Sequence, residues 1–568
     1  MTEQKERPAS VVVLTLDEVF ERVGAMGPWQ LTLYSLFFVK VLAHSLVNTA
    51  PIFYQISPPF NCLVEGGFPT GNRWTVEQKL NISSPARDSS ESAAAASKRA
   101  SSLFDACYFY PTNYTRLPRH FDAAYAVAVA SRTNATAAAC HSWQYDSGVD
   151  MTATAVTDFD LVCDNKFGFE NSQFAFFVGS MIGGFNGGLV ADLYGRRRVS
   201  CVMILLAGIA SSGLSFSPSY WTFLAGRFLL GAALQSTGLV THTMEMTDSR
   251  HRTIVGGLFY VPYALGYLGL VSAAYLIRDW RWLHLAISVP QFFVALWTFL
   301  FLPESPRWLL TQGRTTKAEA ELRTVARWNK RTYPAGLDLH LVAKQLEPGK
   351  RRRESLLTIF SFQGCRPMYP RMALRALLLL FICLADGLVY YGILLNVANY
   401  AGDRFLNNAV AALTEFPSYL LCAPLLAWGR RRSMLPVLTI AGLSLAAIPW
   451  LPGGVAWLRL AVVMAGKLCI AIAYSNVYVV IAEIYPTDVR NTGAALSSFA
   501  SRVGAIAGPY VAATPKLDPR LSWAPELVFS AFSLLAAGAV AFLPETKGRE
   551  LPGTIEEAEK AGKYAPKV

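Results

Sequence analysis

A single arginine stands inside an otherwise uncharged stretch of the chain that is long enough to span a membrane. The run from Asn491 to Ala513, NTGAALSSFASRVGAIAGPYVAA, contains one charged residue, Arg502. As a helix, this run is long enough to cross the roughly 30 Å hydrocarbon core of a bilayer. A guanidinium at that depth costs about 2.5–3.5 kcal/mol on insertion scales, so Arg502 should face a partner, a watery cavity or a ligand. The alternative is a purely structural role, in which Arg502 forms an ion pair within a helix bundle.

A polar stripe marks another apolar run. Lys40, His44 and Asn48 are spaced four residues apart, which places them on one face of a helix. Such a stripe could form one wall of a ligand cavity. It could equally serve hydrogen bonding between helices, with the lysine reaching toward the membrane surface. The sequence alone leaves both interpretations open.

The composition is that of a protein with many membrane spans. Hydrophobic residues make up 53% of the chain and charged residues 16%, against about a quarter charged in soluble domains. Twelve apolar runs are long enough to cross a bilayer, which predicts an all-α polytopic membrane protein with twelve transmembrane helices. These runs, spans one to twelve, lie near 31–52, 172–191, 199–217, 220–240, 253–276, 282–302, 372–396, 408–428, 433–451, 456–481, 491–513 and 523–543.

The positive charge follows from membrane topology. A net charge of +12 could indicate nucleic-acid binding. However, the basic residues are concentrated in turns on one side of the predicted membrane, as the positive-inside rule requires. We therefore expect both termini to be cytoplasmic and no nucleic-acid partner. The residues before span one lack the apolar core of a cleaved signal, so span one is expected to direct insertion.

The segment 53–171, between spans one and two, has the features of an extracellular loop. It carries glycosylation sequons at Asn81, Asn113 and Asn134. Its Ala-rich piece 88–102 is expected to be a flexible excursion. Four cysteines in the segment allow two disulfides by three possible connectivities in an oxidising compartment. They are Cys62, Cys107, Cys140 and Cys163.

The chain divides into two similar halves. LAGRFL in span four is echoed by MAGKLC in span ten, and LPESP after span six by LPETK after span twelve. Such a parallel repeat is typical of proteins whose two six-helix halves hold a substrate near the bilayer midplane and rock around it. In the linker, Trp308, Leu322 and Val325 predict short amphipathic helices on the membrane surface. The predicted parts are a cytoplasmic terminus 1–30, a first half 31–302, a cytoplasmic linker 303–371, a second half 372–543 and a tail 544–568.

Charged residues recur at the cytoplasmic edge of both halves. An acidic-to-basic turn follows span four, and a similar turn follows span ten. We predict that these residues form gate contacts that close the inner side while the substrate site faces outward. The predicted gating residues are Asp192, Arg196, Arg197, Glu245, Arg252, Glu483 and Arg490.

These motifs resemble those of a known superfamily and of one family within it. GGLVADLYGRRR after span two is similar to the major facilitator signature, with Leu193 in place of the usual basic residue. More narrowly, the chain resembles the animal organic ion transporters, which carry organic cations, organic anions and carnitine. The similarity extends over nearly the whole length. Its most specific stretches are VGAMGPWQ at 23–30, DFDLVC at 158–163, PESPRWLL at 303–310 and AEIYPTDVRNTG at 482–493.

The resemblance implies a major facilitator fold and a set of cavity residues. Cation carriers of this family tend to have Asp at the position of Arg502, whereas anion and carnitine carriers tend to have Arg. Tyr419 stands where anion carriers often have Lys, and so looks more like the carnitine carriers. Together with the intramembrane polar positions noted above, the expected substrate-binding residues are Lys40, His44, Asn48, Gln235, Tyr260, Tyr390, Tyr391, Glu415, Tyr419, Tyr474, Ser475 and Arg502.

The predicted function is secondary transport of small organic ions across the plasma membrane by alternating access, with a carnitine-like zwitterion or an organic anion as main substrate. Arg502 would engage a carboxylate through its planar fork of donors. Glu415 and the tyrosine faces could hold an amine, unless Glu415 pairs with Lys40 or Arg502 and the charges cancel. We expect a monomer in the lipid bilayer with a possible coupling or exchange ion, and no cofactor or metal.

Other functions remain open at this point. An organic cation carrier of the same family is one alternative, and a sugar carrier of the same superfamily is another, because PESPR and the Gly-Arg-Arg turns are widely shared there. A non-transporting receptor is a candidate from a different class. An enzyme is disfavoured, because the histidines form no HExxH motif and the cysteines no CxxC motif. The energy source is also open, although an inside-negative potential opposes uptake of a lone anion.

Removing Asn81, Asn113 and Asn134 together tests the extracellular loop. We expect lower abundance at the cell surface, because the bulky, solubilising glycans are lost, and little change in transport per surface molecule. Surface biotinylation combined with uptake measures both quantities. If glycosidase treatment of the wild type produced no gel shift, the predicted topology would be wrong.

Overall fold

The structure is a computed structural model of the chain, and it is almost entirely helical. Asn113, Asn134, Arg252 and the predicted flexible piece 88–102 lie outside the described residues. The described residues are 14–24, 26–63, 74, 76–85, 105–112, 114–118, 120–132, 136–145, 151–236, 242–243, 245–247, 260–334, 337–346, 359–360, 362–363, 366–367, 369–397, 400, 402–452, 455–549 and 552–560.

Helices lie at all twelve predicted spans. Those of spans one to six are Pro28–Thr49, Gly168–Tyr194, Arg196–Ser215, Tyr220–Gln235, Val261–Leu276 and Trp280–Phe301. Those of spans seven to twelve are Pro370–Asn396, Arg404–Leu413 with Glu415–Trp428, Arg430–Ala447, Ala456–Ile484, Arg490–Ala512 and Ala524–Phe542. Within the described part of the chain, nine helical stretches are long and apolar enough to cross a membrane. Spans four, five and eleven are not among these, so the count of twelve crossings stays a prediction.

Glycines bring pairs of spans into backbone contact. A Cβ added at Gly387 of span seven would collide with the carbonyl oxygen of Ser501 in span eleven. In the first half, Gly183 of span two meets the Ala232 backbone of span four in the same way. Gly188 of span two, by contrast, faces open space. Small residues at these crossings let helices approach closely without a large side chain between them.

The segment after span one folds into a compact cap. Disulfides join Cys62 to Cys140 and Cys107 to Cys163, which selects one of the three possible connectivities. Two short antiparallel ribbons and the helices Val76–Ser83 and Phe121–Arg132 surround a small core. The ribbons pair Phe60–Cys62 with Trp143–Tyr145 and Tyr108–Phe109 with Ala138–Ala139.

The linker after span six contains the predicted amphipathic helices, at Pro306–Thr311, Thr315–Trp328 and Leu339–Leu346. Their location on the membrane surface is corrected by the structure. Leu322 and Val325 are buried in a core shared with the unpredicted helix Leu16–Gly24. The apolar faces are therefore covered by protein, because the start of the chain supplies a matching apolar stripe.

A side-chain clamp holds the linker to the start of span one. The Asn329 amide donates to the carbonyls of Val23 and Gly24 at 3.0 and 3.1 Å. Its oxygen accepts from the Trp29 N–H at 3.1 Å. One side chain therefore satisfies two carbonyls at the end of helix Leu16–Gly24 and one N–H at the start of span one, which have no partners within their own helices.

The two halves meet at the end of the bundle that carries the cap, termed the outer end. There the Tyr267 hydroxyl donates to Asn408 Oδ1 at 2.9 Å. Lys516 Nζ lies 2.8 Å from Glu170 Oε1. Each pair joins a residue of the first half to one of the second. The bundle is therefore closed at its outer end, which is predicted to be extracellular.

At the opposite, inner end, the first half carries a charged cluster. Arg196 contacts Glu245 at 2.7 Å and Asp192 at 3.2 Å. The Ser305 hydroxyl donates to Glu245, and Glu304 accepts the backbone N–H of Arg196 at the start of span three. Burial raises the pKa of Glu245, although the Arg196 charge acts in the opposite direction. Glu304 lies at the N-terminus of the span three helix, where the helix dipole favours a carboxylate.

The second half repeats this cluster with equivalent residues. Arg430 contacts Glu483 at 2.5 Å, and the Thr546 hydroxyl donates to the same carboxylate. Glu545 accepts the backbone N–H of Arg430 at 2.8 Å. Burial disfavours the Glu545 charge, but backbone N–H groups outweigh it and hold the pKa below its ordinary value. The stabilisation from this charge is therefore present at neutral pH and is lost as pH falls through the folded pKa.

The predicted gating residues that the structure describes make their contacts within one half. Arg197 and Arg490 each donate to a backbone carbonyl of their own half. The Asp192 side chain is 65% exposed. Closure at the outer end, together with this exposed carboxylate, corresponds to an inward-facing arrangement. A role of these residues in closing the inner end stays a prediction.

Asp192→Asn tests that role. If Asp192 helps to close the inner end in the outward-facing state, losing one charge-assisted hydrogen bond removes about 1.5–3 kcal/mol from that state. The inward–outward equilibrium should shift roughly 10- to 100-fold, slowing transport while substrate binding stays nearly intact. Uptake assays measure transport, and ligand-binding assays measure substrate affinity. Alkylation of a cysteine introduced at the inner end measures the inward–outward equilibrium.

Glu319→Gln is the matched control, because Glu319 forms a surface i,i+4 pair with Arg323 in the linker. It should leave all three readouts unchanged. Loss of binding by Asp192→Asn with an unaltered alkylation pattern would contradict the gating role.

Candidate functional site

The predicted cavity residues converge between the two halves. The Asn48 amide donates to the Tyr263 hydroxyl at 3.0 Å, which joins spans one and five. The Tyr260 ring stacks on Tyr419 of span eight, with ring centroids 5.2 Å apart. Tyr391 of span seven meets a ring of span two at 4.8 Å. Side chains of both halves therefore enclose one central site.

Tyrosines form the second-half wall of this site. Tyr390 stacks on Tyr474 of span ten at 5.4 Å and contacts the edge of Tyr391 at 5.3 Å. Tyr474 also contacts Tyr478 at 5.9 Å, and the Ser501 hydroxyl donates to the Tyr474 hydroxyl. The wall offers aromatic faces for apolar groups and cations and hydroxyls for hydrogen bonding.

Arg502 faces this tyrosine wall. Its guanidinium lies among the side chains of Tyr391, Tyr474 and Tyr478, and its charge also reaches His44 across the cavity. No carboxylate among the described residues forms an ion pair with Arg502. A structural ion pair, the alternative left open by the sequence, is therefore not found in the described part of the chain.

Lys40 and His44 complete a cationic side of the site. Lys40 is 7% exposed and makes no hydrogen bond or ion pair with any described residue. The Nδ1 atom of His44 is buried without a hydrogen-bond partner in the described structure. Two cationic groups, Lys40 and Arg502, thus act on the same buried imidazole.

Glu415 has a different partner from those predicted. It was expected to hold a substrate amine or to pair with Lys40 or Arg502. Instead Lys467 of span ten contacts it at 2.5 Å, with the Lys467 side chain 1% exposed and that of Glu415 0%. Tyr390 and Tyr419 donate hydroxyl hydrogen bonds to the same carboxylate at 3.1 and 3.0 Å. The carboxylate is therefore neutralised, because a buried charge is stable only when it is paired and hydrogen-bonded.

Two predicted residues have their described contacts elsewhere. The Ser475 hydroxyl donates to the Ala471 carbonyl of its own helix. Gln235 is exposed near the inner end of span four, beside Gly184 of span two. Neither contact involves the tyrosine wall or Arg502.

Lys467 and Tyr478 are site residues that were missed. A signal for Lys467 was present, because MAGKLC places a lysine within an apolar span and an intramembrane charge calls for a partner. Tyr478 lies one turn after Tyr474 and faces the same way, which helical spacing could have indicated.

The side chains of the site are suited to recognising a ligand. Unpaired cationic groups attract a negative group of the ligand, tyrosine hydroxyls can donate to it, and the aromatic faces cover an apolar body. A site between the two halves of a helix bundle suits a carrier that works by alternating access.

Comparisons with known proteins agree with this geometry. Residues 138–557 match the family model described as "Sugar (and other) transporter". The "Organic cation transporter protein" of Drosophila melanogaster is 29% identical over 555 residues, covering 96% of this chain and 95% of its own. "Solute carrier family 22 member 6" of Pseudopleuronectes americanus is 30% identical over 559 residues, covering 97% and 95%. "Solute carrier family 22 member 2" of Rattus norvegicus is 27% identical over 551 residues, with 96% and 95% covered.

A solved structure shares the fold. The partially occluded, inward-open xylose transporter XylE from E. coli superposes with a TM-score of 0.55 at 14% identity, covering 92% of this chain and 100% of that one. Similarity at this level supports the major facilitator fold. The family model, which covers most of the chain, and relatives that align over nearly all of it show that this protein belongs to the sugar (and other) transporter family of the major facilitator superfamily, as a solute carrier family 22 transporter of organic ions.

Proposed function

We propose that this protein carries small organic anions bearing a carboxylate across the plasma membrane by alternating access. The observation that supports this proposal is the charge balance of the central site. Lys40 and Arg502 have no carboxylate partner among the described residues, whereas Glu415 is neutralised by Lys467. The site therefore carries an excess of positive charge in a poorly hydrated environment, where an anion of the ligand supplies the missing partner.

Arg502 is the proposed carboxylate receptor. A guanidinium presents two parallel N–H donors that match the two oxygens of a carboxylate, and Lys40 adds a point charge. The Tyr390–Tyr474 stack and Tyr391 would pack against an aromatic or alkyl body. A compact ligand with a carboxylate at one end and an apolar body at the other fits this arrangement.

A carnitine-like zwitterion is the second candidate. The rings of Tyr390 and Tyr474 favour it, because tyrosine faces attract quaternary ammonium groups. A zwitterion would lack a free carboxylate for its ammonium group, since Lys467 occupies Glu415. Organic cations without a carboxylate would also face the uncompensated charge of Arg502. The names of the relatives include organic cation transport, which is said of those proteins.

The described conformation supports the alternating-access part of the proposal. The halves touch at the outer end through the Tyr267–Asn408 and Lys516–Glu170 contacts. An outward-facing state would require these contacts to separate and the inner end to close. The cap with its sequon at Asn81 is proposed to be extracellular, which places both termini in the cytoplasm.

Replacing Arg502 tests the carboxylate receptor. Arg502→Ala removes a charge-assisted hydrogen bond of about 1.5–3 kcal/mol, so apparent affinity for organic anions should fall roughly 10- to 100-fold. Arg502→Lys should restore only part of it, because an ammonium lacks the planar fork. Arg502→Asp should shift preference toward organic cations. Uptake of hippurate, carnitine and tetraethylammonium, each normalised to surface protein, measures the effect.

Arg323→Ala in the exposed linker pair is the control for removing an arginine. It should leave the uptake of all three probes unchanged. Equal loss of anionic, zwitterionic and cationic substrates in the Arg502 variants would reject the substrate-binding role and point to a structural one.

A double-mutant cycle tests the buried ion pair between Glu415 and Lys467. Lys467→Met alone leaves Glu415 buried without its cation and should destabilise the fold by about 3–5 kcal/mol. Glu415→Gln with Lys467→Met should recover most of that loss, because no buried charge is left. Thermal melting of the detergent-solubilised protein gives the stabilities. If the double variant were no more stable than Lys467→Met, the pair would not be the interaction that holds these spans together.

A further inference from the structure

Asp386 is a buried carboxyl for which the transport site provides no role. It lies within span seven, Pro370–Asn396, and is 0% exposed. Neither of its carboxylate oxygens has a hydrogen-bond partner in the described structure. An ionisable side chain within a membrane span is costly and in general marks a pathway for an ion or a proton.

Other buried carboxyls of the bundle do have partners. Glu415 pairs with Lys467, and Glu170 pairs with Lys516. Asp386 therefore differs from these in its surroundings and not in its degree of burial. An isolated carboxylate in a low-dielectric interior is far less stable than the neutral acid. In the described conformation Asp386 is accordingly a protonated acid.

Asp386 is one helical turn from the substrate wall. Tyr390 lies four residues further along the same face of span seven and contacts both Tyr474 and Glu415. Any rearrangement of Tyr390 upon substrate binding would act on the helix face that carries Asp386. The two sites can therefore respond to each other through one rigid helix.

The ionisable groups around Asp386 leave it without a fixed counter-charge. Cys383 is one turn away from Asp386 on the same helix. On span ten, Tyr478 and Tyr485 are near Cys383. On span eleven the charged group is Arg502, which faces the tyrosines of the cavity. None of these groups is hydrogen-bonded to the Asp386 carboxyl.

We propose that Asp386 is the proton-binding site of a proton-coupled organic anion carrier. The inference rests on the proposed function and adds its driving ion. A proton from water on one side bonds to a carboxylate oxygen, and the O–H bond breaks on the other side, leaving the carboxylate and a hydrated proton. One proton moving with one monovalent anion transfers no net charge. The membrane potential, worth about 2.3 kcal/mol per charge at 100 mV, then no longer opposes anion uptake.

Purified full-length protein in liposomes tests the coupling, with labelled hippurate as the probe and the membrane potential clamped at zero. An outside-acid gradient of about one pH unit should drive roughly tenfold accumulation for one proton per anion. A trapped pH dye should report acidification of the lumen upon hippurate addition. Protein-free liposomes correct for passive permeation of the neutral acid.

Asp386→Asn mimics the protonated acid. Its gradient-driven accumulation of hippurate should be about tenfold lower than that of the wild type, while exchange of hippurate for hippurate should continue. Asp386→Glu should keep part of the response. Glu526→Gln is the matched control, because Glu526 is a buried carboxyl at the start of span twelve that accepts from Tyr400. It should respond like the wild type.

The possible failures can be told apart. Hippurate exchange by the wild type with neither gradient-driven accumulation nor lumenal acidification would overturn the proton site and leave anion transport standing. An unchanged gradient response in Asp386→Asn would overturn the assignment to this residue. Absence of hippurate exchange in the wild type would reject the proposed anion transport, and the proton coupling with it.

Discussion

The cost of leaving a charge without a partner in a low-dielectric interior governs this protein. Glu415 and Lys467 are both almost completely buried, and each is tolerable only because the other is present. Their pairing removes a carboxylate from the central site and leaves the positive charge of Arg502 uncompensated. One structural ion pair thereby decides the electrostatic character of the central site. Arg502 is placed beside tyrosine hydroxyls, which cannot neutralise it, and this is the basis of the proposed role in binding a carboxylate.

The same constraint acts differently at the inner end of the bundle. There the Arg196–Glu245 and Arg430–Glu483 pairs lie at the edge of the spans, where water can reach part of each group. Both halves use the same design, in which a second carboxylate caps the helix that begins with the arginine. The repeat therefore preserves a set of interactions as well as a sequence pattern. The contacts that join the two halves at the outer end do not follow this repeat. They pair residues of different types, such as Tyr267 and Asn408.

This distinction bears on how one fold can host different substrates. The relatives named above align with this chain over nearly its whole length, and the name of one of them refers to organic cations. A cavity made largely of tyrosines is permissive, because aromatic faces accept both apolar bodies and cations. In the proposed function the sign of the preferred substrate depends on a small number of charges, namely Arg502, Lys40 and the pair that neutralises Glu415.

The sequence by itself determined the architecture and much of the site. Hydropathy located the helices, because the length of a span is set by the bilayer. Four-residue spacing put Lys40, His44 and Asn48 on one face of span one, and the isolated charge of Arg502 marked it as a residue that needs a partner or a ligand. These properties are local, so they can be read along the chain.

Only the tertiary structure decided which helix faces each of these side chains. Periodicity gives a helix face but not the neighbour of that face. The partner of Glu415 was therefore wrongly assigned, and the disulfide connectivity stayed open until the cap was seen to join Cys62 to Cys140. Leu322 was placed at the membrane surface for the same reason, since an apolar stripe looks alike whether lipid or another helix covers it. Contacts between residues far apart in sequence depend on how the helices pack, and that packing is a property of the whole chain.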